Sequence, residues 1–313
     1  MVRVTALAGG VGGAKLADGL AQVLPAEALT IIVNTGDDFE HLGLHISPDL
    51  DTVCYTLAGI ANPVTGWGRD SETLLAMETL TNLGGPSWFH LGDRDLGVHI
   101  ERTRRLHQGD RLSQITQDFC QAWGIGATIL PMSDDFVPTW VDTDEGELPF
   151  QEYFVHRRCL PQVKGFRFQG IEQAQPAPGV LPAILEASLI VICPSNPWVS
   201  IDPILEIPGI RASIESSHAP VIAISPIIAG QTIKGPAAKM YAELGIEPSA
   251  ASVARHYGPL LDGFVLDLLD RDLQASLQTV QLKVLVTNSV MKTPEDRRSL
   301  AQEVLWFGMG IMV

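Results

Sequence analysis

The chain has 313 residues, of which 46% are hydrophobic and 18% are charged. This composition supports a large buried core, and the low charged fraction is typical of an enzyme. The formal net charge of −15 argues against non-specific binding to nucleic acid or to an anionic membrane.

The cysteines and the apolar runs indicate a cytoplasmic protein. Four cysteines are scattered through the chain without a C-x-x-C pair, and we expect reduced thiols. The start of the chain has no signal-peptide pattern because glycines interrupt its apolar run, and no run is long enough to span a bilayer. We therefore expect a cytoplasmic location and no membrane or nucleic-acid partner.

The first twenty residues predict a phosphate-binding turn. An apolar strand at 3–8 is followed by Gly9, Gly10, Gly12 and Gly13, and a helix is expected at 14–24. A turn almost free of side chains, next to the unpaired N–H groups of a helix start, can bind an anion closely. Lys15 adds a positive charge just beyond the turn. The turn does not complete either standard motif. Lys15 stands where a dinucleotide-binding pattern needs its third glycine, and Leu16 stands where a P-loop needs Ser or Thr after its lysine. The ligand class stays open, and a tight turn that binds nothing is the alternative.

A second strand, at residues 29–33, ends in polar residues. It is a continuous apolar run followed by Asn34, Asp37 and Asp38. Ligands of open α/β sheets sit at the carboxyl ends of strands, which predicts that these side chains lie beside the glycine turn. Two adjacent acids there suggest Mg²⁺, although a solvated turn would also explain them.

A helix start follows at Ser47-Pro48. Ser47 is a natural N-cap and Pro48 a natural first residue, so helix formation alone explains both. It explains Asp51 poorly, because Asp is a weak helix former one turn in. We expect Asp49 or Asp51 to face a ligand.

Residues 61–174 interrupt the α/β alternation and predict an inserted helical and β-hairpin subdomain that covers the site. Trp67, in a Gly-Trp-Gly turn, either stacks on a planar substrate or caps a core. His99 and Arg102 are spaced to share one helix face, and a solvated face is the plain interpretation for the arginines. The expected elements are helices at 71–83, around 99–105 and at 110–123, a strand at 128–132, and a hairpin at 139–155.

The α/β pattern returns in the last part of the chain. Strands are expected at 189–193, 221–225, 264–266 and 283–286, with a last helix at 294–307. Ser195 and Asn196 lie between two prolines after the first of these strands, and Gly230 to Gly235 forms a second Gly/Lys phosphate-type element. The fold class is therefore α/β, a Rossmann-like, doubly wound, mostly parallel sheet. Its core is built from residues 1–60 and 175–313.

Long stretches of the chain resemble one known family. They are SPDLDTVCYTLAGI from Ser47, LGDRDL from Leu91, SNPWVSIDPIL from Ser195 and SPIIAGQTIKGPAAKM from Ser225. Together with the glycine turn and Asn34 to Asp38, they resemble the 2-phospho-L-lactate transferases (CofD, called FbiA in mycobacteria). The match covers nearly the whole chain.

The resemblance implies a reaction in the biosynthesis of coenzyme F-420. The acceptor is Fo, a hydroxylated deazariboflavin. The donor is a guanosine diphosphate ester of lactate or of a related acid such as enolpyruvate, and GMP is released. Mg²⁺ is required and the protein forms a homodimer; the guanylyltransferase that makes the donor is a possible hand-over partner.

The same resemblance, combined with the pattern of residues, assigns roles to single positions. Candidate catalytic residues are Asp37, Asp49 and Asp51, and candidate metal ligands are Asp37, Asp38 and Asp49. Candidate nucleotide and phosphate contacts are Gly10, Gly12, Gly13, Lys15, Asn34, Ser195, Asn196, Ser200, Gly230 and Gly235. Candidate acceptor contacts are Asp49, Trp67, His90 and Asp93.

Two other functions fit parts of the pattern. A YvcK-like regulatory protein that binds a nucleotide sugar without transfer resembles this family in fold and glycine turn, but the SPDLD and SNPWVSIDPIL stretches favour the transferase. A nicotinamide-dependent oxidoreductase is disfavoured by the missing third glycine, and by an acidic pair where a single ribose-binding acid is expected.

Overall fold

The computed structural model describes residues 2–311. Its strands, in chain order, are β1 (Val4–Ala8), β2 (Leu29–Val33), β3 (Phe39–His41), β4 (Leu44–Ile46), β5 (Thr128–Pro131), β6 (Thr139–Thr143), β7 (Gly146–Pro149), β8 (Val163–Phe168), β9 (Leu189–Ile192), β10 (Val221–Ile224), β11 (Ile227–Ile228), β12 (Gln231–Thr232), β13 (Gly263–Asp267) and β14 (Lys283–Thr287).

The α-helices lie between or after these strands. They are α1 (Gly10–Val23), α2 (Pro48–Leu57), α3 (Leu75–Asn82), α4 (Asp93–His107), α5 (Leu112–Ala122), α6 (Val180–Leu185), α7 (Asp202–Glu206), α8 (Ile210–Ser216), α9 (Ala237–Glu243), α10 (Ala250–Tyr257), α11 (Gln274–Leu277) and α12 (Pro294–Ile311). Short 3-10 or π turns complete the described part, among them the π turn Pro197–Ile201.

Seven strands form one parallel sheet in the order β14-β13-β10-β9-β1-β2-β5. Each central strand is a short run of apolar, often β-branched residues that is buried along its length, as strands covered on both faces are. The strand order reverses between β1 and β9, so their carboxyl ends flank a crevice. The predicted α/β, Rossmann-like class is confirmed.

Two apolar clusters cover the two faces of this sheet. One face packs against α1, α2 and α12, through side chains that include Leu16, Leu20 and Val304. The other face packs against α6, α8 and α10, through side chains that include Ile184 and Ile214. The doubly wound arrangement therefore has its core on both sides of the sheet, and the strand ends stay free for ligands.

The stretch 61–174 has a mixed character. It contains α3, α4 and α5, and the small antiparallel sheet β7-β6-β8, which includes the predicted hairpin around Gly146. It also contains β5, which pairs in parallel with β2 as the edge strand of the central sheet. The predicted insert is thus interrupted by a core strand, because the apolar run 128–131 completes the sheet edge.

Some element ends differ from the predicted ones. Helix α1 begins at Gly10 rather than at Ala14, so the glycines form the first turn of the helix itself. Helix α3 begins at Leu75 instead of residue 71, and α12 continues to Ile311. No helix within residues 2–311 combines the length and the apolar character that crossing a bilayer requires.

Candidate functional site

The site lies at the carboxyl ends of β1, β2 and β9. Residues 9–13, here called the glycine turn, follow β1, and residues 194–200, the Ser195 loop, follow β9. Ser195 joins the two: its Oγ donates to Gly9 O at 2.8 Å and accepts from Gly9 N at 3.1 Å. Because β1 and β9 are neighbours at the reversal of strand order, the two segments pack against each other where the crevice of this fold class is expected.

The glycine turn owes its composition largely to this close packing. A Cβ on Gly12 would lie 2.3 Å from Pro194 O, and one on Gly13 would lie 2.6 Å from Ser195 Oγ. A Cβ on Gly9 would lie 2.5 Å from Asp49 Oδ2 and 2.7 Å from Ser200 Cβ. Glycine is thus required where the turn touches its neighbours, as a tight turn would require without any ligand.

Gly10 serves a different purpose. Its φ of +62° is in the left-handed region, and space remains around it, since a Cβ at this position would lie 3.7 Å from Asp49 Oδ1. Helix α1 begins at this residue, so its first N–H groups lack partners within the helix and carry the positive end of its dipole. The helix start therefore lies at the turn, as an anion-binding role would require, and that role stays a prediction.

Three buried carboxylates, here called the acid group, stand beside the turn. Asp37 and Asp38 follow β2, and Asp49 lies in the first turn of α2; their exposed fractions are 5%, 3% and 9%. Asn34 orients the group: its Nδ2 donates to Asp49 Oδ2 at 3.0 Å, and its Oδ1 accepts from Gly36 N at 2.8 Å. The structure thus brings together Asn34 and all three predicted metal ligands.

Burial makes the acid group costly in its ionised form. Burial raises the pKa of Asp37 well above its usual range, and the charges of Asp49 and Asp38 raise it further. Burial raises the pKa of Asp49 to about 6, although hydrogen bonds from Asn34 and the Gly10 N–H oppose the shift. Burial also raises the pKa of Asp38, against hydrogen bonds from His45 and Ser47. A bound cation would relieve this repulsion.

The donor set of the acid group fits a magnesium ion that is shared with a substrate. Asp37 Oδ1 and Asp38 Oδ1 are buried and have no hydrogen-bond partner in the described part of the chain. Within residues 2–311, no three His, Cys, Asp or Glu side chains converge closely enough to hold a metal by themselves. Mg²⁺ typically takes one or two carboxylates and completes its shell with phosphate oxygens and water, so these two observations agree.

Asp51 is held apart from the acid group by Arg102. Arg102, on α4, is 2% exposed and makes a two-pronged ion pair with Asp51, with Nη1 to Oδ2 at 3.0 Å. Burial alone would lower the pKa of Arg102, but the charge of Asp51 outweighs this and raises it. His99 lies in the same group, with Nδ1 3.2 Å from Arg102 Nη1. The expected ligand of Asp51 is thus an arginine of the chain itself, and the solvated face expected for the arginines is wrong for Arg102.

Lys15 reaches away from the turn. It lies in the second turn of α1, and its Nζ donates to Met291 O at 2.8 Å. Burial lowers its pKa, and the positive charges of Arg297 and Lys234 lower it further. Lys234 in turn donates to Thr65 O. A cationic cluster therefore gathers at one end of the glycine turn in an otherwise acidic protein.

The polar side chains of the Ser195 loop mainly build the loop. Asn196 Oδ1 accepts from Trp198 N at 3.1 Å, so Asn196 caps the π turn. The hydroxyl of Ser195 is already hydrogen-bonded to the backbone of Gly9. Ser200 is buried beside Gly9.

The second glycine element lies apart from the acid group. Gly230 and Gly235, with φ of +77° and +80°, supply left-handed turns in and after the β11–β12 hairpin. Neither glycine has an atom of the acid group within 4 Å of the position that a Cβ would take. The positive φ of each residue explains why glycine is found there, and a role of this element in nucleotide binding stays a prediction.

The predicted acceptor residues other than Asp49 lie outside the acid group. Trp67 is 53% exposed in its turn, and His90 is exposed on the wall of a shallow surface cavity with Leu74 and Met77. Asp93 caps a helix: its carboxylate accepts from Thr73 Oγ1 and from the N–H groups at the start of α3. A capping role accounts for Asp93 without a ligand.

Several residues next to the acid group are not identified by the sequence patterns. Ser47 is predicted to cap α2 with its side chain, but its Oγ donates to Asp38 Oδ2 at 2.8 Å. His45 Nε2 contacts the same oxygen at 3.0 Å. From the segment that carries the hairpin, Thr139 N donates to Gly36 O and Gln151 Nε2 donates to Asp37 O. Of these, only Ser47 lies in a stretch that carries the family resemblance.

An aromatic cluster adjoins the acid group through the β3–β4 hairpin. Trp88 stacks on His156 with ring centres 5.2 Å apart, and Trp88 also contacts His41 edge-on at 5.0 Å. Phe39 and Phe89 complete the cluster. It offers flat apolar surface close to Asp38, which directly precedes β3.

Known proteins are similar to this chain along nearly its whole length. A family model described as "2-phospho-L-lactate transferase CofD" matches residues 4–298. A phosphoenolpyruvate transferase of Streptomyces griseus is 44% identical over 310 residues, which cover 97% of this chain and 98% of that protein. One of Streptomyces coelicolor is 43% identical, with coverage of 97% for both chains.

A solved structure shares the fold at low sequence identity. The crystal structure of a UPF0052 family member from Bacillus halodurans matches with a TM-score of 0.66 and 17% identity, covering 97% of this chain and 100% of that one. This likeness concerns the architecture alone. The family model and the Streptomyces relatives extend over nearly the whole sequence, and the chain therefore belongs to the CofD family of 2-phospho-L-lactate transferases.

Proposed function

We propose that this protein transfers a phosphorylated three-carbon acid from a guanosine diphosphate-linked donor to a hydroxyl of Fo, in the biosynthesis of coenzyme F-420. The observation that carries the proposal is the position of the acid group. Two buried carboxylate oxygens that have no hydrogen-bond partner within residues 2–311, on Asp37 and Asp38, stand beside a helix start of the kind that can bind anions. The names of the Streptomyces relatives favour enolpyruvate over lactate as the acid.

The donor diphosphate would bind to the glycine turn. Helix α1 begins within this turn, so the positive end of its dipole lies there, and the cluster of Lys15 and Lys234 adds positive charge nearby. A protein of net charge −15 repels such a ligand at long range, so local amides and cations must supply the attraction.

Asp37 and Asp38 would hold Mg²⁺, which, when bound, would neutralise charge on the diphosphate. Asp49 is a different case, because Asn34 and the Gly10 N–H already engage it. We assign Asp49 as the acceptor of the proton from the attacking hydroxyl. Its raised pKa of about 6 suits a group that takes up a proton near neutral pH.

The reaction would then follow from positioning. The hydroxyl oxygen of Fo forms a bond to the phosphorus that bears the three-carbon acid, and the bond from that phosphorus to the bridging oxygen breaks. GMP carries away the electron pair, and Asp49 holds the proton. Because little covalent chemistry falls to the protein, alignment and charge neutralisation account for the rate.

The deazaflavin ring would lie on the aromatic cluster of Phe39, His41, Trp88, Phe89 and His156. Aromatic rings prefer offset or edge contacts with one another, and Phe39 of the cluster directly follows Asp38 in the chain. Trp67 and His90 are further candidates for contacts with the acceptor. We also infer a homodimer that receives its donor from the guanylyltransferase that makes it.

The test is a transfer assay with the purified chain. It is incubated with Fo, Mg²⁺ and a donor generated in the same tube, and chromatography is used to detect a new, more acidic fluorescent deazaflavin. We expect turnover that EDTA abolishes and added Mg²⁺ restores. Nucleotide binding without turnover for either the enolpyruvyl or the lactyl donor would instead favour a regulatory binding protein.

The Asp37→Asn variant tests the metal site directly in the same assay. It removes the negative charge of one of the two candidate metal ligands while preserving the shape of the side chain, so we expect turnover to fall by about 100-fold or more, with the fold intact by circular dichroism. Near-normal turnover would remove Asp37 from the metal site. Glu215→Gln, at an exposed carboxylate on α8, is the matched control and should leave turnover unchanged.

A further inference from the structure

Asp38 has one oxygen that is held and one that is free. Its Oδ2 is 3.0 Å from His45 Nε2 and accepts from Ser47 Oγ at 2.8 Å. Its Oδ1 is buried and has no hydrogen-bond partner in the described part of the chain. Since a carboxylate cannot rotate without losing both contacts on Oδ2, the direction of Oδ1 is set by His45 and Ser47.

We propose that His45 is a positioning residue that presents Asp38 Oδ1 to a divalent cation; the inference rests on the proposed function for the presence of that cation. A carboxylate oxygen only accepts hydrogen bonds, so His45 Nε2 must carry the proton. With Oδ2 occupied by two donors, Oδ1 is the oxygen left for a hard cation. Partners that orient a ligating carboxylate in this way contribute substantially to metal affinity.

The chain fixes His45 independently of Asp38. His45 lies on β4, where its N–H donates to Thr103 Oγ1 at 2.8 Å. Thr103 Oγ1 donates in turn to His99 O at 2.7 Å, so these hydrogen bonds connect β4 to helix α4. The imidazole also packs edge-on against Phe136, with ring centres 5.9 Å apart. The ring is therefore oriented by the fold before it meets the carboxylate.

Two features distinguish this contact from an ordinary structural ion pair. A buried carboxylate that serves only stability normally has both oxygens hydrogen-bonded, because a buried acceptor without a partner costs free energy. Here Asp38 Oδ1 has no partner within residues 2–311. In addition, Ser47 occupies the N-cap position of α2, yet its hydroxyl makes no cap hydrogen bond and turns to Asp38 instead. Both features favour the orientation of Asp38 over local helix stability.

The inference is tested by direct cation binding to the purified full chain. Mn²⁺ substitutes for Mg²⁺, and bound Mn²⁺ is measured by electron paramagnetic resonance, with and without GDP. His45→Ala should weaken Mn²⁺ binding by about tenfold or more. His45→Gln keeps an N–H donor of similar reach and should retain most of the affinity. His107→Ala, at an exposed position near the end of α4, is the matched control and should bind as the unaltered chain does.

The outcomes separate this inference from the proposed function. If the unaltered chain binds no Mn²⁺ under either condition, both fail. If it binds Mn²⁺ and His45→Ala binds equally well, only the role of His45 is overturned. Equal loss in His45→Ala and His45→Gln at an unchanged melting temperature also overturns it, because the N–H donor would then not matter. Should His45→Ala fail to fold, Ser47→Ala removes the other donor from Asp38 Oδ2; weaker binding supports the inference, and unchanged binding overturns it.

Discussion

The buried ion pair between Arg102 and Asp51 allows a strong prediction about stability. Arg102 is 2% exposed and Asp51 5% exposed, and both Asp51 oxygens accept from the guanidinium. In the Arg102→Met variant, the apolar stem is largely kept but Asp51 loses its partner while still buried. Breaking a buried pair from one side typically costs about 3–5 kcal/mol, because it leaves an uncompensated charge.

This free energy converts into a measurable shift. For 313 residues the unfolding entropy near the melting temperature is about 0.66 kcal/mol/K, so we expect the melting temperature to fall by about 5–8 °C. Differential scanning calorimetry measures the shift, and urea unfolding gives an independent comparison. Arg104→Met on the same helix is the control, because its pair with Glu101 is exposed to solvent and should shift the melting temperature much less.

A second variant tests the reason as well as the size of the effect. The double variant Asp51→Asn with Arg102→Met removes the unpaired negative charge of Asp51 as well as the guanidinium, so it should recover part of the stability that Arg102→Met loses. The reasoning is refuted if Arg102→Met costs less than about 1 kcal/mol, or if the double variant is no more stable than the single one.

Three further predictions concern the crevice. Lys15→Ala should weaken binding of the donor more than binding of Fo in calorimetric titrations, since the lysine belongs to the cationic cluster; equal loss for both would count against its phosphate role. Gly12→Ala places a Cβ 2.3 Å from Pro194 O, so it should lower the free energy of unfolding in urea by about 1–3 kcal/mol and weaken nucleotide binding. Gly97→Ala is the control: this residue lies inside α4 with open space around it, and the change should be neutral or slightly stabilising. Burial raises the pKa of Asp49 to about 6 in the folded protein, so the folded state binds this proton more tightly than the unfolded chain does. The free energy of unfolding should therefore fall as the pH rises from about 4 to above 6. Asn cannot ionise, so in the absence of metal the melting temperature of Asp49→Asn should rise relative to that of the unaltered chain over this pH range. A difference in melting temperature that does not change with pH would contradict the burial argument.

The sequence predicts the sheet and the position of the site well. The core strands expected at 3–8, 29–33, 189–193, 221–225, 264–266 and 283–286 are all present in the parallel sheet, because short apolar runs buried on both faces differ clearly from amphipathic helices. Chain segments that follow parallel strands meet at one sheet edge, so the glycine turn and the residues Asn34, Asp37 and Asp38 are together without any long-range information.

The roles of single carboxylates depend on partners that are distant in the chain. Asp49 and Asp51 are two residues apart on one helix, yet one joins the acid group and the other pairs with Arg102, 51 positions away. Similarly, Asp93 is part of a stretch that carries the family resemblance, but it caps α3, whose first N–H groups lie 17 and 18 positions earlier in the chain. Nothing local in the chain distinguishes these acids, since each is simply an Asp near a helix start.

What the sequence by itself determines is therefore the layered fold, the glycine turn at a helix start and the presence of clustered acids at the strand ends. These follow from hydrophobic periodicity and from local backbone preferences, which act within a few residues. Only the tertiary structure decides which acids are neutralised by the chain and which keep a free oxygen. That choice depends on burial and on contacts from distant segments, such as those of Arg102 and Gln151, that form when these segments pack together.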